Sequence, residues 1–419
     1  MRSDLATAFL RWTGLRAALA RGYWLTTALY LVVVAGLTPT ELVLIGTFQG
    51  ITVVLAEVPA GVLADTVSRR LSLVIGHIVM GAGMAMAGLV TAFPLLVVSQ
   101  CLWGLGWAFS SGADVAWLTD ELNRPDAIDG VLVAQARWDL AGNAIGVVAF
   151  GALAWATTLS TTIVLSGVAM VVLGLVVVGR WPETGFAPAD AGHRWRESAS
   201  ILRRGVALVR ADRVILAVIA ATLLVNGGAE AYGRLLAKRL VVLGLPTRPD
   251  PIVWFALLSL AGVALGAVVL RIVEARIARA GVAQRTYVLA CVVASAGLVL
   301  FAHAPNAASA VAGSLLVSGI AFPVIRVAGV VWVNRRATST VRATVHSLLS
   351  QAENAGEIIF GLALAVVAGA ASTTVALTGS AALLACAGAL VLATRSTPGD
   401  RGRWRRRDNA QPARPGACR

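Results

Sequence analysis

The sequence predicts an all-α integral membrane protein with twelve transmembrane helices in two bundles of six. The chain has 419 residues, of which 58% are hydrophobic and 13% charged. Its mean hydropathy of +0.80 is well above that of soluble domains. Apolar runs of about 20 residues, the length that crosses a hydrocarbon core, recur along the chain. The basic residues between these runs are concentrated in alternate loops, as in multi-pass membrane proteins.

Twelve apolar runs are predicted to span the membrane. Those of the first bundle lie near residues 21–38, 42–64, 71–92, 95–117, 138–157 and 159–180. Those of the second bundle lie near residues 213–235, 251–272, 286–303, 307–332, 343–369 and 372–393. An even number of spans places both termini on the same side of the membrane.

The placement of Lys and Arg predicts that both termini are cytoplasmic. With this orientation Arg326 lies within a span, and four basic residues fall on the outer side: Arg234, Lys238, Arg239 and Arg248. All other basic residues fall on the cytoplasmic side. The net charge of +14 therefore follows from loop orientation and a basic tail, and no nucleic-acid partner is expected.

The hydropathy pattern divides the chain into four parts. Residues 1–180 and 213–393 are the two predicted six-helix bundles, residues 181–212 a cytoplasmic linker, and residues 394–419 a disordered basic tail. In the linker, ESASILRRGVALVR alternates apolar and basic faces at helical spacing, which predicts a surface helix at the lipid interface. The N-terminal stretch RSDLATAFLRWTGLRAALAR has a similar character.

Cysteine and histidine usage predicts neither a cofactor nor a metal site. The four cysteines lie singly and are read as free thiols, and the four histidines are scattered. No phosphate-binding Gly-Lys-Ser loop, zinc motif or paired nucleophile and base is recognisable. The sequence therefore predicts a protein that is not an enzyme.

The ten residues GVLADTVSRR, Gly61 to Arg70, combine small and charged residues where the second apolar run ends. Gly61 and Ala64 are small enough to let one helix approach a neighbour closely. Asp65 supplies a negative charge, and Arg69 and Arg70 follow within reach of it across a tight turn. The stretch is suited to act as a charge latch. The alternative is that the two arginines only anchor a loop on the cytoplasmic side.

These ten residues and the twelve predicted spans resemble the major facilitator superfamily of secondary transporters, especially its bacterial members. Gly61, Leu63, Ala64, Asp65, Arg69 and Arg70 match the signature between spans two and three, whereas Ser68 stands where the family usually has glycine. The resemblance implies that this loop gates the cytoplasmic side, closing it in the outward-facing state. The first turn of span eleven, near Ala343, offers N–H groups and a positive dipole end to Asp65.

Two departures from the family pattern leave the energy coupling open. Many proton-coupled members carry an arginine in span four where this chain has Gln100. Drug antiporters of the superfamily tend to carry a Gly-Pro element in span five, whereas this chain has Gly142, Gly146 and Gly151 without the proline. We expect these glycines to serve close helix packing.

Charged residues inside the predicted spans are the candidates for substrate or proton coupling, because burying charge in lipid is costly. They are Glu57, Asp114, Glu230, Glu353 and Glu357, with Arg326 as the single base. Glu353 and Glu357 share one helix face, and two carboxylates in a dry cavity are suited to holding a proton. Alternatively, Arg326 neutralises one of them in a structural ion pair.

The other candidates also have two interpretations each. Glu57 is either a cavity carboxylate or part of a helix bend at Pro59, and Glu230 either meets a substrate or pairs with Arg234 one turn later. Trp103 and Trp107 are candidates to line the cavity, or else contact core and lipid. Further candidate cavity residues, which interhelical hydrogen bonds would explain equally well, are Gln49, Asn143, Asn226, Gln351 and Asn354.

The resemblance implies a secondary active transporter in the plasma membrane that moves a small molecule by alternating access. The apolar spans, without a recognisable sugar-transporter or phosphate-transporter signature, favour export of a moderately hydrophobic compound. We expect the protein to be a monomer, with protons as a candidate coupling partner. The alternatives are a metabolite uptake permease, for which the intramembrane acids would suit a cation, and a non-transporting membrane receptor that senses a ligand.

Overall fold

The computed structural model describes residues 2–123, 125–189, 213–277, 282–334 and 339–394. Within these ranges the chain forms helices joined by short connections and has no strand, which confirms the predicted fold class. The helices of the first half are α1 (Arg2–Val33), α2 (Pro39–Thr66), α3 (Arg69–Leu89), α4 (Phe93–Leu122), α5 (Pro125–Ala156) and α6 (Leu159–Arg180). Those of the second half are α7 (Arg213–Val242), α8 (Pro251–Ile277), α9 (Val282–Ala302), α10 (Ala307–Asn334), α11 (Ser339–Ala370) and α12 (Thr373–Ala393).

Most of these helices suit a membrane as solvent. In the described part of the chain, eleven helices, α2 to α12, are long and apolar enough to cross one. Large apolar side chains stay exposed in the bundle, among them Leu55 and Leu89 at 72% each. Lipid tails can solvate such surfaces, whereas soluble monomers rarely expose large apolar patches. The chain is therefore a multi-pass membrane protein, as predicted.

The first helix differs from the prediction. A surface helix followed by a span at 21–38 was expected, but α1 is one continuous helix of 32 residues. Phe9 and Trp12 are buried against the rest of the bundle, at 0% and 4% exposure. Likewise, α5 begins at Pro125 rather than near 138, and α7 continues to Val242. Hydropathy misses the added turns of α1 and α7 because they carry charged residues, whose partners inside the bundle, such as Asp114 for Arg16 and the carbonyl of Leu37 for Lys238, cannot be seen in the sequence.

Helix packing produces two halves that meet along a few helices. In the first half α1 packs against α5, and α3 packs against α4 and α6. In the second half α7 packs against α11 and α12, and α9 packs against α12. The halves meet mainly where α2 contacts α11 and where α5 contacts α8. The predicted surface helix in residues 197–210 and the predicted tail after Thr394 lie outside the described residues.

The regular α-helical geometry of two helices, α4 and α10, is interrupted within their length. Helix α4 consists of the segments Phe93–Ser110 and Ala113–Leu122, which are joined at Gly112 with a φ of +77°. Only glycine adopts this left-handed conformation without a steric cost. Helix α10 contains a π-helical stretch at Leu315–Ala321, a feature frequent at functional sites.

Glycines set the distance between the closest helices. A Cβ at Gly106 on α4 would overlap the backbone of Gly76 on α3, and one at Gly142 on α5 would overlap Gly14 on α1. A Cβ at Gly151 would lie 3.3 Å from Ala256 on α8. A Cβ at Gly146 would overlap the backbone of Ala18, so the expected packing role is confirmed for all three span-five glycines, Gly142, Gly146 and Gly151. Small residues allow this approach, which is a main source of helix association in lipid.

We predict that Gly106→Ala destabilises the first half by about 1–3 kcal/mol, because α3 and α4 must move apart to fit the methyl group. The measurement is the thermal unfolding midpoint of the detergent-solubilised protein. Gly179→Ala on α6 is the matched control, since no described atom lies within 4 Å of a Cβ there. Equal midpoints for the two variants would show that the α3–α4 spacing is not limiting.

Candidate functional site

The turn between α2 and α3 carries the predicted gating motif, and the end of the bundle at this turn is called the motif end below. Ser68 is the N-cap of α3, and its side chain accepts a hydrogen bond from the backbone N–H of Leu71 at 2.9 Å. The cap directs Arg69 and Arg70 into the first turn of α3. Asp65 lies in the last turn of α2, so acid and base face each other across the turn as predicted.

Arg69 is the centre of the motif. Its guanidinium lies 3.4 Å from the carboxylate of Asp65, and it also pairs with Asp120 in the second segment of α4. A third contact is a 2.9 Å hydrogen bond that Arg69 donates to the carbonyl of Ala116. The guanidinium therefore links the ends of α2, α3 and α4, and the predicted Asp65–Arg69 ion pair is present, while its gating role stays a prediction.

Arg70 does not join this latch, contrary to the prediction. Its guanidinium donates to the carbonyl of Trp181 at 2.9 Å, and its backbone N–H donates to Glu183 at 2.9 Å. Glu183 also accepts a hydrogen bond from Ser68. The second arginine of the motif thus binds the beginning of the linker. Its side chain and that of Arg69 project from different sides of α3.

The first nine linker residues, Trp181–Ala189, form a strap across the motif end. Trp181 is buried and stacks on Trp117 with ring centroids 3.9 Å apart. The indole N–H of Trp117 donates to the carbonyl of Pro182 at 2.8 Å. At the end of the strap the N–H of Ala189 donates to the backbone carbonyl of Asp65 at 2.9 Å. Sequence reasoning treated this segment as a linker only; Trp181 and Glu183 were the available signals.

Gly61 does not have the expected role. A Cβ at Gly61 would meet no atom within 4 Å among the described residues, so close packing does not require glycine there. Ala64, one turn later, is the small residue of the motif that is buried. The predicted contact between Asp65 and the first turn of α11 stays a prediction, because the side chains of that turn lie outside the described residues.

In the part of the bundle away from the motif end, a hydrogen-bonded ion pair joins the two halves. Arg234 on α7 lies 2.7 Å from Glu230 through its Nε, which confirms the pairing predicted as one alternative for Glu230. Its Nη2 donates to the Oε1 of Gln49 on α2 at 2.9 Å. The guanidinium also lies over the ring of Trp24 on α1, 5.3 Å from the centroid. Arginine favours this geometry, in which separate N–H groups of the guanidinium bind two acceptors and its plane lies against an aromatic ring.

The acids of α11 lie beside this ion pair. Glu357 is near enough to Glu230 and Arg234 for their charges to act on its carboxylate, and Glu353 is also near. Arg326 on α10 acts on Glu353 in the same way, but no direct ion pair joins these two described side chains. The alternative of a tight Arg326 ion pair is therefore not supported. Three acids share this region with two arginines.

Glu57 faces the other half. The Nε2 of Gln351 on α11 donates to its carboxylate at 3.1 Å, across the α2–α11 contact. Pro59 lies inside α2 two residues later. Two other polar candidates make no described contact with another helix. Asn226 donates to the carbonyl of Thr222 on its own helix at 2.9 Å. Asn143 is half-buried on α5. Glu57 is thus an interface carboxylate near a helix proline.

A second charged cluster lies nearer the motif end. Asp114 in the second segment of α4 pairs with Arg16 on α1 at 3.2 Å and is 7% exposed. Asp139 on α5 is near enough for both charges to act on it. The Arg16 guanidinium also lies 5.2 Å from the ring centroid of Trp107 and 5.3 Å from that of Trp12. This cluster again combines one arginine with two acids.

The aromatic residues of α1 and α4 connect the two clusters. Trp103 and Trp107 stack with centroids 5.7 Å apart, and Trp24 meets Trp103 edge-on at 5.0 Å. Trp103 is buried, whereas Trp107 is 40% exposed. Gln100, at the position of the family arginine, donates to the hydroxyl of Tyr23 at 2.6 Å. Both predicted tryptophans thus line the interior between α1 and α4.

Arg326 is not the single base of the helical interior, as had been predicted. Arg16 and Arg21 lie within α1 and Arg234 within α7, each with a partner on another helix; Arg21 donates to the hydroxyl of Ser259 on α8. Asp139 is a further acid that was missed. For Arg16 the sequence did contain a signal of an interior position: Trp12 and Arg16 lie one helical turn apart and therefore share one face of α1.

Comparison with known proteins identifies the fold. The model of the Major Facilitator Superfamily matches residues 12–361. The structure of the nucleoside transporter NupG superposes with a TM-score of 0.73 at 16% identity, covering 93% of this chain and 98% of that one. A POT family transporter in complex with 5-aminolevulinic acid has a TM-score of 0.72 at 12% identity, with 93% and 95% covered.

A further solved structure, the peptide transporter POT in complex with sulfate, has a TM-score of 0.72 at 13% identity and covers 94% of this chain and 97% of that one. No curated protein sequence matches the chain. Identities this low support a shared fold, and the fold is one that hosts many substrates.

Proposed function

Because the chain belongs to the Major Facilitator Superfamily of membrane transporters, we propose that it exports a moderately hydrophobic small molecule across the plasma membrane by alternating access. The observation that carries this proposal is the contact of Arg234 with Glu230 and Gln49, a charged contact between the halves that lies within the helices rather than in their connections. Substrate sites of such transporters lie near the bilayer midplane between the two repeats.

The division into moving parts follows the packing. We propose residues 1–180 and 213–393 as the two rocking halves, residues 181–212 as their cytoplasmic linker and 394–419 as a basic tail. The motif end is then the cytoplasmic end. Two contacts that join the halves lie at the other end, where Lys238 donates to the carbonyl of Leu37 at 3.0 Å and Thr40 to that of Ala365 at 3.2 Å. This arrangement fits a conformation that is closed on the outside.

Proton coupling is proposed to involve Glu357, with Glu353 beside it. Arg234 forms a direct ion pair with Glu230. The positive charge of Arg234 is therefore shared, and it only partly compensates the second nearby acid, Glu357. Such a carboxylate can hold either a proton or a cationic group of the substrate, but not both. Competition for one carboxylate is a simple physical basis for exchange of protons against substrate.

The neighbouring aromatic surface supports a substrate with apolar character. Trp107 and Trp24 offer ring faces between the charged clusters, and aromatic residues contribute large apolar contact areas. Uptake of a polar metabolite is the second candidate, because the interior holds more charge than the sequence predicts. The two candidates differ in direction and in the polarity of the transported compound.

The deciding experiment is a flux screen in proteoliposomes against a panel of apolar, cationic and polar compounds. Each compound is tested with and without a proton gradient, and in both gradient directions. The export proposal requires that an apolar compound move against the proton gradient. Flux of polar metabolites down the proton gradient supports uptake instead, and binding without flux for all compounds contradicts transport.

We predict that Asp65→Asn reduces transport about tenfold while the protein still inserts and folds. The fold tolerates this change because Arg69 keeps Asp120 and the Ala116 carbonyl, and a partly exposed pair contributes only about 0–1 kcal/mol. Asp120→Asn is the comparison, since it removes a second acceptor of Arg69. Normal flux in vesicles that carry Asp65→Asn would contradict the gating role.

A further inference from the structure

The ion pair of Glu230 and Arg234 is carried by a single helix. The two residues lie four apart on α7, and the Nε of Arg234 lies 2.7 Å from the carboxylate of Glu230. Residues at this spacing are neighbours on one helix face. Both side chains are largely buried, at 16% and 15% exposure. Because both charges belong to the second half, a movement of the halves relative to each other does not separate them.

The first half contacts this ion pair through uncharged residues. At Gly46 on α2 the pair lies directly against the backbone, since a Cβ there would overlap the Oε1 of Glu230 and the guanidinium of Arg234. Gln49 accepts a hydrogen bond from Arg234 at 2.9 Å. The ring centroid of Trp24 on α1 lies 5.3 Å from the Cζ of Arg234. Gly46, Gln49 and Trp24 are together called the seat below.

The seat is held in place within the first half. A Cβ at Gly104 on α4 would lie 3.0 Å from the backbone oxygen of Gln49 and 3.4 Å from its Cγ, so α4 packs closely against Gln49. Gln49 is 6% exposed. Trp24 meets the ring of Trp103 on α4 edge-on at 5.0 Å. Both side chains of the seat are therefore supported by α4, independently of the second half.

Two further contacts between the halves lie on the same side of the bundle. Lys238 on α7 donates to the carbonyl of Leu37 at 3.0 Å, and Thr40 on α2 donates to that of Ala365 at 3.2 Å. A Cβ at Gly369 on α11 would lie 2.5 Å from the Oγ1 of Thr40. In each contact at most one partner is charged. Among the described residues, no ion pair has its two members in different halves.

This distribution of charge lowers the cost of separating the halves. Breaking a buried ion pair leaves two unpaired charges, which costs much more than breaking a hydrogen bond to a neutral group. When the halves separate at the seat, Arg234 loses its bond to Gln49 and its contact with Trp24 but keeps Glu230. The contact is therefore strong enough to hold the halves together and weak enough to open repeatedly.

We propose that the Glu230–Arg234 pair and the seat form a reversible lock on the outer side, which the pair enters and leaves as one unit. Gly46 and Gln49 are then positioning residues, because Gly46 leaves room for the pair and Gln49 holds Arg234 there. The fraction of molecules that are closed on the outside depends on both residues. The assignment rests on the proposed alternating access, since it names the contact that regulates its outer opening.

The test measures distances between pairs of spin labels by double electron–electron resonance in the full-length, reconstituted protein, with the native cysteines replaced by alanine. One pair of labels, at exposed Thr91 and Ala371, spans the outer connections, and another, at exposed Asp129 and Arg276, spans the motif end. We expect Gly46→Ala, and more strongly Gly46→Leu, to lengthen the outer distance and shorten the motif-end distance. For Gly46→Leu the ratio of open to closed molecules should rise about tenfold, as for loss of one hydrogen bond to a charged group.

Three further variants separate the lock from a folding defect. Gln49→Ala should shift both distances in the same directions as the Gly46 variants. Gly233→Ala, next to Arg234 on α7, is the matched control, because no described atom lies within 4 Å of a Cβ there. Gly106→Ala disturbs packing inside the first half, so it should lower the thermal midpoint without moving either distance. A folding defect broadens both distance distributions, whereas loss of the lock lengthens one distance and shortens the other.

Double-mutant cycles test whether the ion pair moves as one unit. The coupling of Arg234→Lys with Gln49→Ala is measured by thermal unfolding in the wild-type and in the Gly46→Leu background. The coupling of Arg234→Lys with Glu230→Gln is measured in the same two backgrounds. We expect Gly46→Leu to remove the coupling to Gln49 and to preserve the coupling to Glu230. Loss of both couplings would mean that the pair dissociates on opening and would overturn the proposal.

The outcomes distinguish the lock from the transport proposal. If both distances change as expected in the Gly46 and Gln49 variants but no compound of the flux screen crosses the membrane, the lock stands and transport fails. If compounds are transported while Gly46→Leu and Gln49→Ala give the same distances as Gly233→Ala, the lock is overturned and transport stands.

Discussion

Glu357→Gln is expected to abolish the response of transport to a proton gradient. The carboxylate lies beside Glu230 and Arg234, at the contact between the two halves. A change in its charge therefore changes the electrostatic energy of this contact. Glutamine keeps the shape but remains neutral in every conformation, so the cycle loses the step in which a proton and the substrate compete. We expect at least a tenfold loss of gradient-driven flux of the compound identified in the screen, about 1.4 kcal/mol of coupling.

The readout is flux in proteoliposomes with and without a pH gradient, together with exchange of labelled for unlabelled substrate. Exchange is expected to persist, because it needs alternating access but no net proton movement. Glu353→Gln is the comparison: its carboxylate lies beside Arg326, and the loss should be smaller. Glu274→Gln on the exposed surface of α8 is the control. A full gradient response in Glu357→Gln would move the coupling site elsewhere.

Arg234→Lys is expected to reduce transport by one to two orders of magnitude although the positive charge is kept. The guanidinium donates to Glu230 and to Gln49 at the same time and covers Trp24. An ammonium group is a point charge and cannot reproduce this fork and ring contact. A hydrogen bond to a charged group contributes about 1.5–3 kcal/mol, and the lost bond to Gln49 joins the two halves.

The pairwise contribution can be isolated with a double-mutant cycle of Arg234→Lys and Gln49→Ala. Flux and the thermal midpoint are measured for both single variants and the double variant. We expect the two changes to be non-additive, since each removes the same contact. Arg248→Lys, in the exposed connection after α7, serves as the control. Additive effects would mean that Arg234 acts through Glu230 and Trp24 alone.

The helices were predictable because lipid imposes a length and a composition on every segment that crosses it. The second to twelfth predicted spans correspond to α2 to α12, and the motif from Gly61 to Arg70 does lie where α2 meets α3. The Asp65–Arg69 and Glu230–Arg234 pairs were also predictable, since residues one helical turn apart are neighbours.

The errors share one cause. Arg16 was assigned to an N-terminal surface helix, Arg21 to the boundary of the first span and Arg234 to the outer side, because the sequence alone does not show which residue pairs with a charge. The partner of Arg16 is Asp114, 98 residues away, and that of Arg234 is Gln49, 185 residues away. Gly61 failed in the opposite direction, since its small size is not used for packing against any of the residues that the structure describes.

The sequence by itself determined the membrane class, the positions of the second to twelfth spans and the place of the Gly61–Arg70 motif between α2 and α3, because these follow from local hydropathy and short-range spacing. Only the tertiary structure decided which charges meet between the halves, that Arg70 holds the Trp181–Ala189 strap, and that Trp24, Trp103 and Trp107 form a row between two arginines. The physical reason is that helix packing brings together side chains whose separation along the chain carries no signal of their contact.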